Sequence, residues 1–335
     1  MKITARSPCR VDLAGGTLDI WPLYLYHESP LTVNFAVNRY TSCTIETRRD
    51  HAITLRSRDQ GGEETFDSLG SLLRARRYRL PLPAWLLRFF RPDTGLSMVL
   101  GSEAPAGAGI AGSSSLMITI GSALNRLTGS GHNLEKLREI VQNIESQIIR
   151  VPTGAQDYYP AMYGGVNAIA LSPAGVHRQA IEVPHTELNE RIVLAYTGEP
   201  RNSGINNWEV TKAHIDGDRR VHRNFDHITA IARAMRDSLA ARDWGETARL
   251  LHEEWTHRRR NAPGITTPLI DMLAARTRRL GALAAKVCGA GGGGCVVFLV
   301  EPDARERVSA AITSLGAEVL PVSVEPKGVR VRVEQ

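Results

Sequence analysis

The pattern of apolar and polar positions predicts a first half rich in strands around one long helix. Short runs of β-branched residues at 31–37, 41–47 and 53–56 are typical of strands. From Leu116 to Leu127 the apolar residues instead recur at helical spacing. The first half is therefore predicted to combine a sheet with packed helices.

The second half shows mixed spacing as well. A strand is predicted at 191–196, helices dominate 205–281, and strands and one further helix complete the chain. The overall expectation is an α+β fold with a domain boundary within 184–186. We accordingly predict an N-terminal domain over 1–185 and a C-terminal domain over 186–335.

A glycine-rich turn at 104–115 lies between the short strand predicted at 96–100 and the long helix. Glycines let the backbone approach an anion closely, and a helix N-terminus offers unpaired N–H groups and the positive end of a dipole. Close packing alone is the alternative explanation for such glycines. Because three serines complete the turn, the pattern favours a polyphosphate ligand. The turn is not the usual P-loop, since no Gly-x-x-x-x-Gly-Lys-Ser/Thr sequence occurs.

Composition narrows the classes of function. The 335 residues are 42% hydrophobic and carry 41 basic and 35 acidic side chains, a mild excess that suits an anionic substrate. The basic stretch at 74–79 lacks a recognised nucleic-acid module around it, so a solvated helix face is expected there and no nucleic-acid partner. No apolar run approaches the ~20 residues of a membrane span, and the N-terminus lacks a signal core. We expect a cytoplasmic protein without a membrane partner.

Several polar residues admit two interpretations when each is taken alone. Asp19 and Asp157 follow tight turns, where they either cap a short helix or line a pocket. Glu145 lies among apolar neighbours on a predicted helix, facing either solvent or a metal ion. The glycines at 289–294 imply a loop packed against a ligand or against another backbone segment.

Three motifs in order resemble those of the GHMP kinase superfamily: residues 7–19, residues 105–113 and the glycine-rich loop at 286–294. The resemblance spans nearly the whole chain. It implies a two-domain fold, with an N-terminal domain like ribosomal protein S5 domain 2 and a ferredoxin-like C-terminal α+β domain. Residues 14–16, 154–158 and 163–167 are most similar to sugar kinases of the D-glycero-D-manno-heptose 7-phosphate 1-kinase type.

The resemblance implies an ATP-dependent kinase that uses Mg²⁺ and phosphorylates a sugar or sugar phosphate at the anomeric hydroxyl. It assigns to Asp157 the acceptance of the proton of the sugar hydroxyl, or at least the orientation of that hydroxyl, with Arg10 beside it. It assigns magnesium binding to Glu145 with Ser113 or Ser114. The nucleotide set is Pro105, Gly107, Ala108, Gly109, Ile110, Ala111, Gly112, Ser113, Ser114 and Ser115. The sugar set is Gly15, Gly16, Thr17, Asp19, Arg201, Ser203, Gly291 and Gly292.

Other functions remain open at this stage. A galactokinase-type or mevalonate-kinase-type enzyme would share the fold, and so would a sensor that binds nucleotide or sugar without catalysis. Arg10 and Asp19 resemble the sugar branch, and the joint presence of Ser113, Glu145 and Asp157 argues against a sensor. The sugar is unnamed by the sequence, and a homodimer is one option for the oligomeric state.

Overall fold

The computed structural model describes residues 1–200 and 203–334, and residues 203–206 through their backbone alone. The strands are β1 (Lys2–Ala14), β2 (Leu31–Arg48), β3 (Ile53–Ser57), β4 (Glu63–Phe66), β5 (Gly95–Ser102), β6 (Val166–Ser172), β7 (Gly175–Ala180), β8 (Ile192–Tyr196), β9 (Ala282–Val287), β10 (Cys295–Val300), β11 (Glu318–Leu320) and β12 (Arg330–Glu334). The helices are α1 (Leu69–Arg74), α2 (Pro81–Phe90), α3 (Gly112–Thr128), α4 (Leu134–Ile149), α5 (Tyr159–Tyr163), α6 (His185–Arg191), α7 (Ser203–Ile215), α8 (Arg219–Ala241), α9 (Trp244–Arg258), α10 (Pro268–Arg278) and α11 (Arg305–Ser314).

The first sheet is organised around β2, a strand of 18 residues. One edge of β2 pairs antiparallel with β1, while its other edge pairs with β6 near its start and with β5 near its end. Helix α3 packs against β1 and β2, and α4 packs against α3. This arrangement brings the end of β1 and the beginning of α3 to one side of the sheet.

The second sheet has the strand order β11-β8-β10-β9, and its pairs are antiparallel. Helices α9 and α10 pack against β9. Together the two sheets and their helices form the α+β class that the sequence predicts.

The end of the chain returns to the first sheet. Strand β12 pairs with β1, and Val324 forms a bridge to Val37. The break between the sheets falls between β7 and β8, close to the predicted boundary. The domain division between residues 185 and 186 stays a prediction. Under this division β12 belongs to the C-terminal domain, although it pairs with β1 at the edge of the N-terminal sheet.

The two helices that follow the glycine-rich turn, α3 and α4, confirm the helices that the spacing of apolar residues predicts. Asn133 caps α4, since its side chain accepts a hydrogen bond from the backbone N–H of Lys136 at 2.8 Å. Helix α8 begins at Arg219, before the part of the segment in which apolar residues recur most clearly at helical spacing. The side chain of Asp218 caps this start, since it accepts hydrogen bonds from two backbone N–H groups of the first turn. Within the described ranges, none of the helices combines the length and apolarity needed to cross a membrane.

Candidate active site

An arginine and an aspartate from distant parts of the chain meet at the floor of a cavity of about 370 Å³. Arg10 lies on β1, and its Nε and Nη2 donate to Oδ1 of Asp157 at 3.0 and 2.6 Å. Burial by itself would lower the pKa of Arg10, but the carboxylates of Asp157 and Asp12 raise it above its usual range. The guanidinium therefore stays charged beside Asp157.

Asp157 is not a helix cap in this fold. Helix α5 has Tyr158 at its N-cap position, with no side-chain capping bond. The Asp157 side chain instead pairs with Arg10 and stays 28% exposed, on the wall of the cavity. Of the two interpretations that the sequence allows, the pocket interpretation describes its position.

Glu145 turns inward from α4 towards the first turn of α3. The hydroxyls of Ser113 and Ser114 donate to its two carboxylate oxygens at 2.5 and 3.1 Å, and Tyr158 donates to Oε2 at 2.6 Å. Burial raises the pKa of Glu145. A buried carboxylate beside two serine hydroxyls is an oxygen-only donor set, which is the kind that Mg²⁺ prefers. Both serines reach Glu145, with Ser113 exposed and Ser114 buried.

The glycine-rich turn lines the cavity through residues 104–114. Gly107 and Gly109 have positive φ, and so does Ala111, the N-cap residue of α3, at φ 58°. A non-glycine residue in this region is uncommon and costs backbone energy, which is typical of functional turns. Ala111 supplies no side-chain cap, so the first N–H groups of α3 are available to a ligand.

Ser115 lies differently from the rest of the predicted nucleotide set. Its hydroxyl is buried, forms a hydrogen bond with Thr41 at 2.8 Å and donates to the carbonyl of Ser7 at 3.3 Å. These contacts fasten α3 to the sheet. The structure thus gives this hydroxyl a packing position, away from the cavity.

Asp19 is buried and lines the same cavity as Ser113 and Ser114. Its Oδ2 accepts from the backbone N–H of Gln156 at 2.8 Å. Burial, reinforced by the nearby charge of Asp157, raises the pKa of Asp19 to about 7. Gly154 makes this approach possible, because a Cβ there would lie 2.0 Å from Asp19 Oδ2. Gly154 is therefore explained by the close packing of the Asp19 carboxylate against its backbone.

The predicted sugar residues of the first motif divide into two groups. Gly16 and Thr17 line the cavity together with Asp19. Thr17 also donates to Oδ1 of Asn207 on α7, at 3.3 Å. Gly15 packs away from the cavity, where a Cβ would lie 2.3 Å from the carbonyl oxygen of Leu31. Its positive φ and this close backbone contact explain the glycine.

The glycine-rich loop at 286–294 meets other backbone segments more than it meets the cavity. Gly291 and Gly292, predicted to contact the substrate, lie against Ile265, and Gly292 donates to the Ile265 carbonyl at 2.8 Å. Gly294 packs on the carbonyl of Ala108, which lies in the glycine-rich turn at 104–115. The cavity is lined instead by Gly289 and the residue after it. Backbone packing, the second of the two interpretations, accounts for these glycines.

Two further predicted sugar contacts fall wholly or partly outside the described residues. Arg201 lies outside the described residues. Ser203 begins α7, and its side chain is outside the described set.

Four buried charged residues connect the two sheets beside the cavity, and none of them is among the predicted site residues. We call Asp12, Glu254, Arg258 and Lys286 the buried charge network. Lys286 Nζ donates to Asp12 Oδ2 at 2.5 Å and lies 3.9 Å from Glu254 Oε2. Arg258 Nε donates to Glu254 Oε1 at 2.8 Å, and Arg258 Nη2 donates to the carbonyl of Gly16 at 2.9 Å.

The network has one member on the cavity wall, Arg258. Two features of the sequence could have indicated this network. Glu254 and Arg258 lie four residues apart on a helix, and Lys286 lies inside an apolar strand. Glu254 lies between two histidines in the segment at 252–257 of α9 and is fully buried.

Two family models match the chain. The model of the GHMP kinases N terminal domain matches residues 80–165, and the model of the GHMP kinases C terminal domain matches residues 235–318. Together they cover about half of the chain and fall in its two predicted domains.

Individual relatives cover more of the chain. It is 24% identical to a D-glycero-alpha-D-manno-heptose 7-phosphate kinase of Campylobacter jejuni, over 98% of both proteins. It is 26% identical over 93% of its length to an L-fucokinase/L-fucose-1-P guanylyltransferase of Bacteroides fragilis, spanning 36% of that longer protein. A solved D-glycero-D-manno-heptose 1-phosphate kinase from Bacteroides thetaiotaomicron shares the fold with a TM-score of 0.79, at 23% identity and 99% coverage of both chains.

Proposed function

The chain belongs to the GHMP kinase family, and from that premise we propose that it is an ATP-dependent kinase of a sugar or sugar phosphate, acting at the anomeric hydroxyl. The full-length similarity to a heptose 7-phosphate kinase favours a phosphorylated heptose as the substrate class. Location in the cytoplasm and the oligomeric state stay predictions.

The observation that carries the proposal is the pairing of Asp157 with Arg10 in a cavity lined by two chemically different sets of residues. The glycine-rich turn with the serines and Glu145 is called the phosphate end here, and Asp19, Gly16 and Thr17 are called the sugar end. A phosphoryl donor at the first end and a polyol at the second would meet at Asp157.

The phosphate end is suited to a nucleotide polyphosphate. We infer that residues 105–114 bind the ATP phosphates through backbone N–H groups and the N-terminus of α3, helped by the hydroxyls of Ser113 and Ser114. Ser115 contributes through its position in the first turn rather than through its hydroxyl. Glycines at 107 and 109 let ligand phosphates approach the backbone closely.

A divalent cation fits beside Glu145. We assign Glu145 and Ser113 as the residues that would hold Mg²⁺, with Ser114 as the alternative hydroxyl. When bound, Mg²⁺ would offset the charge of the β- and γ-phosphates.

The sugar end offers acceptors and donors suited to hydroxyl groups. Asp19 accepts hydrogen bonds, Thr17 and Asn207 both donate and accept, and the guanidinium of Arg258 donates beside the Gly16 carbonyl. Arg201 and Ser203 remain proposed substrate contacts from the C-terminal half.

Asp157 performs the proton step in this proposal. Its carboxylate accepts the proton of the attacking sugar hydroxyl, or orients that hydroxyl. The hydroxyl oxygen bonds to the γ-phosphorus while the bond to the oxygen that bridges the β- and γ-phosphates breaks, and ADP leaves. Arg10 holds Asp157 in place through its two bonds to Oδ1, and its charge offsets that of the transferring phosphoryl group. Its third bond, from Nη1 to the Gly109 carbonyl at 2.6 Å, ties Arg10 to the phosphate end.

The direct test is a screen for sugar-dependent ADP release. The purified chain is incubated with ATP and Mg²⁺ and a panel of hexoses, heptoses, uronic acids, their phosphates, and mevalonate. We expect release with a phosphorylated heptose, and a product whose ³¹P spectrum shows a new glycosyl phosphate. Release with mevalonate alone would replace the proposal with the mevalonate-kinase alternative, and galactose alone would favour the galactokinase alternative. Nucleotide binding without release on any substrate would favour a sensor.

A further inference from the structure

Three histidines from separate segments converge outside the cavity. His27 follows a short 3-10 turn at Leu23–Tyr26, His214 lies near the end of α7, and His222 lies in the first turns of α8. One potential ligand nitrogen from each ring lies within 4.8 Å of those of the other two. His27 and His214 are buried, and their Nε2 atoms are 2.9 Å apart.

The hydrogen bonds around the cluster indicate which ring nitrogens can bind a metal ion. His27 Nδ1 donates to Oδ1 of Asp226 at 2.8 Å, so Nε2 is its ligating nitrogen. His222 Nε2 donates to the His214 carbonyl at 2.8 Å, so Nδ1 is its ligating nitrogen. One proton lies between the Nε2 atoms of His27 and His214, which are 2.9 Å apart, and a metal ion would replace it. His214 would then carry its proton on Nδ1, which has no hydrogen-bond partner among the described residues.

We propose that His27, His214 and His222 form a binding site for a divalent transition-metal ion of the Zn²⁺ class, with Asp226 orienting His27. Imidazole nitrogens suit zinc, cobalt and nickel, whereas Mg²⁺ prefers oxygen, so this site is chemically distinct from the one at Glu145. A carboxylate that accepts from the far nitrogen of a ligating histidine is the usual support of such sites.

The spacing of the ring nitrogens fits metal binding. Two nitrogens on one tetrahedral zinc lie about 3.3 Å apart, given Zn–N bonds of about 2.0–2.1 Å. The His27–His214 spacing is close to that value, and rotation of the half-buried His222 ring is the adjustment that an ion requires.

The position of the site indicates a structural role. An ion there would join the 3-10 turn after Trp21 to α7 and α8. Helix α7 carries Asn207, which contacts Thr17 at the sugar end of the cavity. Binding of the ion is therefore expected to raise thermal stability and to fix α7 against the segment that carries Asp19.

The test is metal binding by the full chain, with any affinity tag removed. Purified protein is treated with a chelator, titrated with Zn²⁺ or Co²⁺ alone, dialysed and analysed for bound metal and for melting temperature. We expect one ion per chain, visible d–d absorption with Co²⁺, and a melting temperature that rises with Zn²⁺. Less than a tenth of an ion per chain, or an unchanged melting temperature, would overturn the proposal.

Variants separate the site from adventitious surface binding. His27→Gln is expected to abolish the Co²⁺ absorption. Asp226→Asn keeps a hydrogen-bond acceptor on an exposed side chain, and we expect it to weaken affinity by roughly 10–100-fold while the fold is unchanged. His252→Gln, at an exposed position on α9, is the matched control and should bind like the unaltered chain. Equal loss in His252→Gln, or full binding by both His27→Gln and Asp226→Asn, contradicts the assignment.

Discussion

Two aspartates lie on either side of Arg10, and the structure treats them in opposite ways. Asp12 is fully buried, accepts from Lys286 Nζ and from the Gly289 N–H, and lies 3.7 Å from Arg10 Nη1. Asp157 is bound more closely by the same arginine, at 2.6 Å, yet it stays partly exposed on the cavity wall. Hydrogen-bond donors of the protein itself occupy both carboxylate oxygens of Asp12, while Asp157 remains accessible from the cavity.

The pKa behaviour of the buried member shows why it is structural. Burial by itself raises the pKa of Asp12, but Lys286, followed by Arg10 and Arg258, holds it well below its usual range. A carboxylate that is ionised and saturated by protein donors is a poor proton acceptor. Charge and proximity to Arg10 therefore do not distinguish the proposed catalytic aspartate from a structural one, whereas access to the cavity does.

The largest expected effect comes from Asp157→Asn. The amide keeps an oxygen for the Arg10 hydrogen bonds but cannot accept the hydroxyl proton, so kcat should fall by about 10²–10⁴-fold. The melting temperature should change little, since the side chain is partly exposed. Initial rates of ADP release and thermal melts measure the two quantities. Near-normal turnover would remove the proton step from Asp157.

The buried charge network should respond in the opposite manner. Lys286→Met leaves the Asp12 and Glu254 carboxylates without their shared ammonium group in a fully buried site. Breaking a buried pair in this way typically costs about 3–5 kcal/mol of unfolding free energy. Chemical denaturation should show this loss.

Lys136→Met is the matched control for that variant. Lys136 pairs with Glu139 on the exposed face of α4, and the loss of a surface pair costs at most about 1 kcal/mol. Similar midpoints for both lysine variants would show that the network contributes no more than a surface ion pair.

The sequence predicted those parts of the site that local chemistry encodes. The glycine-rich turn before α3 follows from spacing and residue type within one short segment. Local chemistry left open whether Glu145 faces solvent or a metal ion, and its metal role came from the family resemblance. Arg10 and Asp157 entered through family resemblance, and the structure brings them together although 147 residues separate them.

The remainder depends on contacts that no short segment records. Lys286 meets Asp12 across 274 residues, and nothing near either residue specifies its partner. Gly291 is explained by its backbone contact with Ile265 rather than by a ligand. The three histidines likewise come from segments that are separate in the sequence, and only the packing of α7 and α8 against the 3-10 turn reveals them.

Asp19 provides the finest test, because it is buried like Asp12 but lacks the close cation partner that Asp12 has in Lys286. Its pKa of about 7 in the folded protein lies above the ordinary value of 3.8. Between these values the folded chain retains a proton that the unfolded chain has lost, so this group's contribution to stability falls as pH rises from about 4 through 7. Asp19→Asn removes that dependence and keeps an acceptor for the Gln156 N–H.

We therefore expect Asp19→Asn to gain unfolding free energy relative to the unaltered chain as pH increases from 5 to 8, by on the order of 1–3 kcal/mol. Denaturation midpoints of both proteins across that range measure the difference, in which other titrating groups largely cancel. Asp93→Asn, at an exposed position, controls for the loss of one negative charge. A difference that stays constant with pH, or that shrinks as pH rises, would mean that Asp19 is ionised throughout and is stabilised like Asp12, by protein donors.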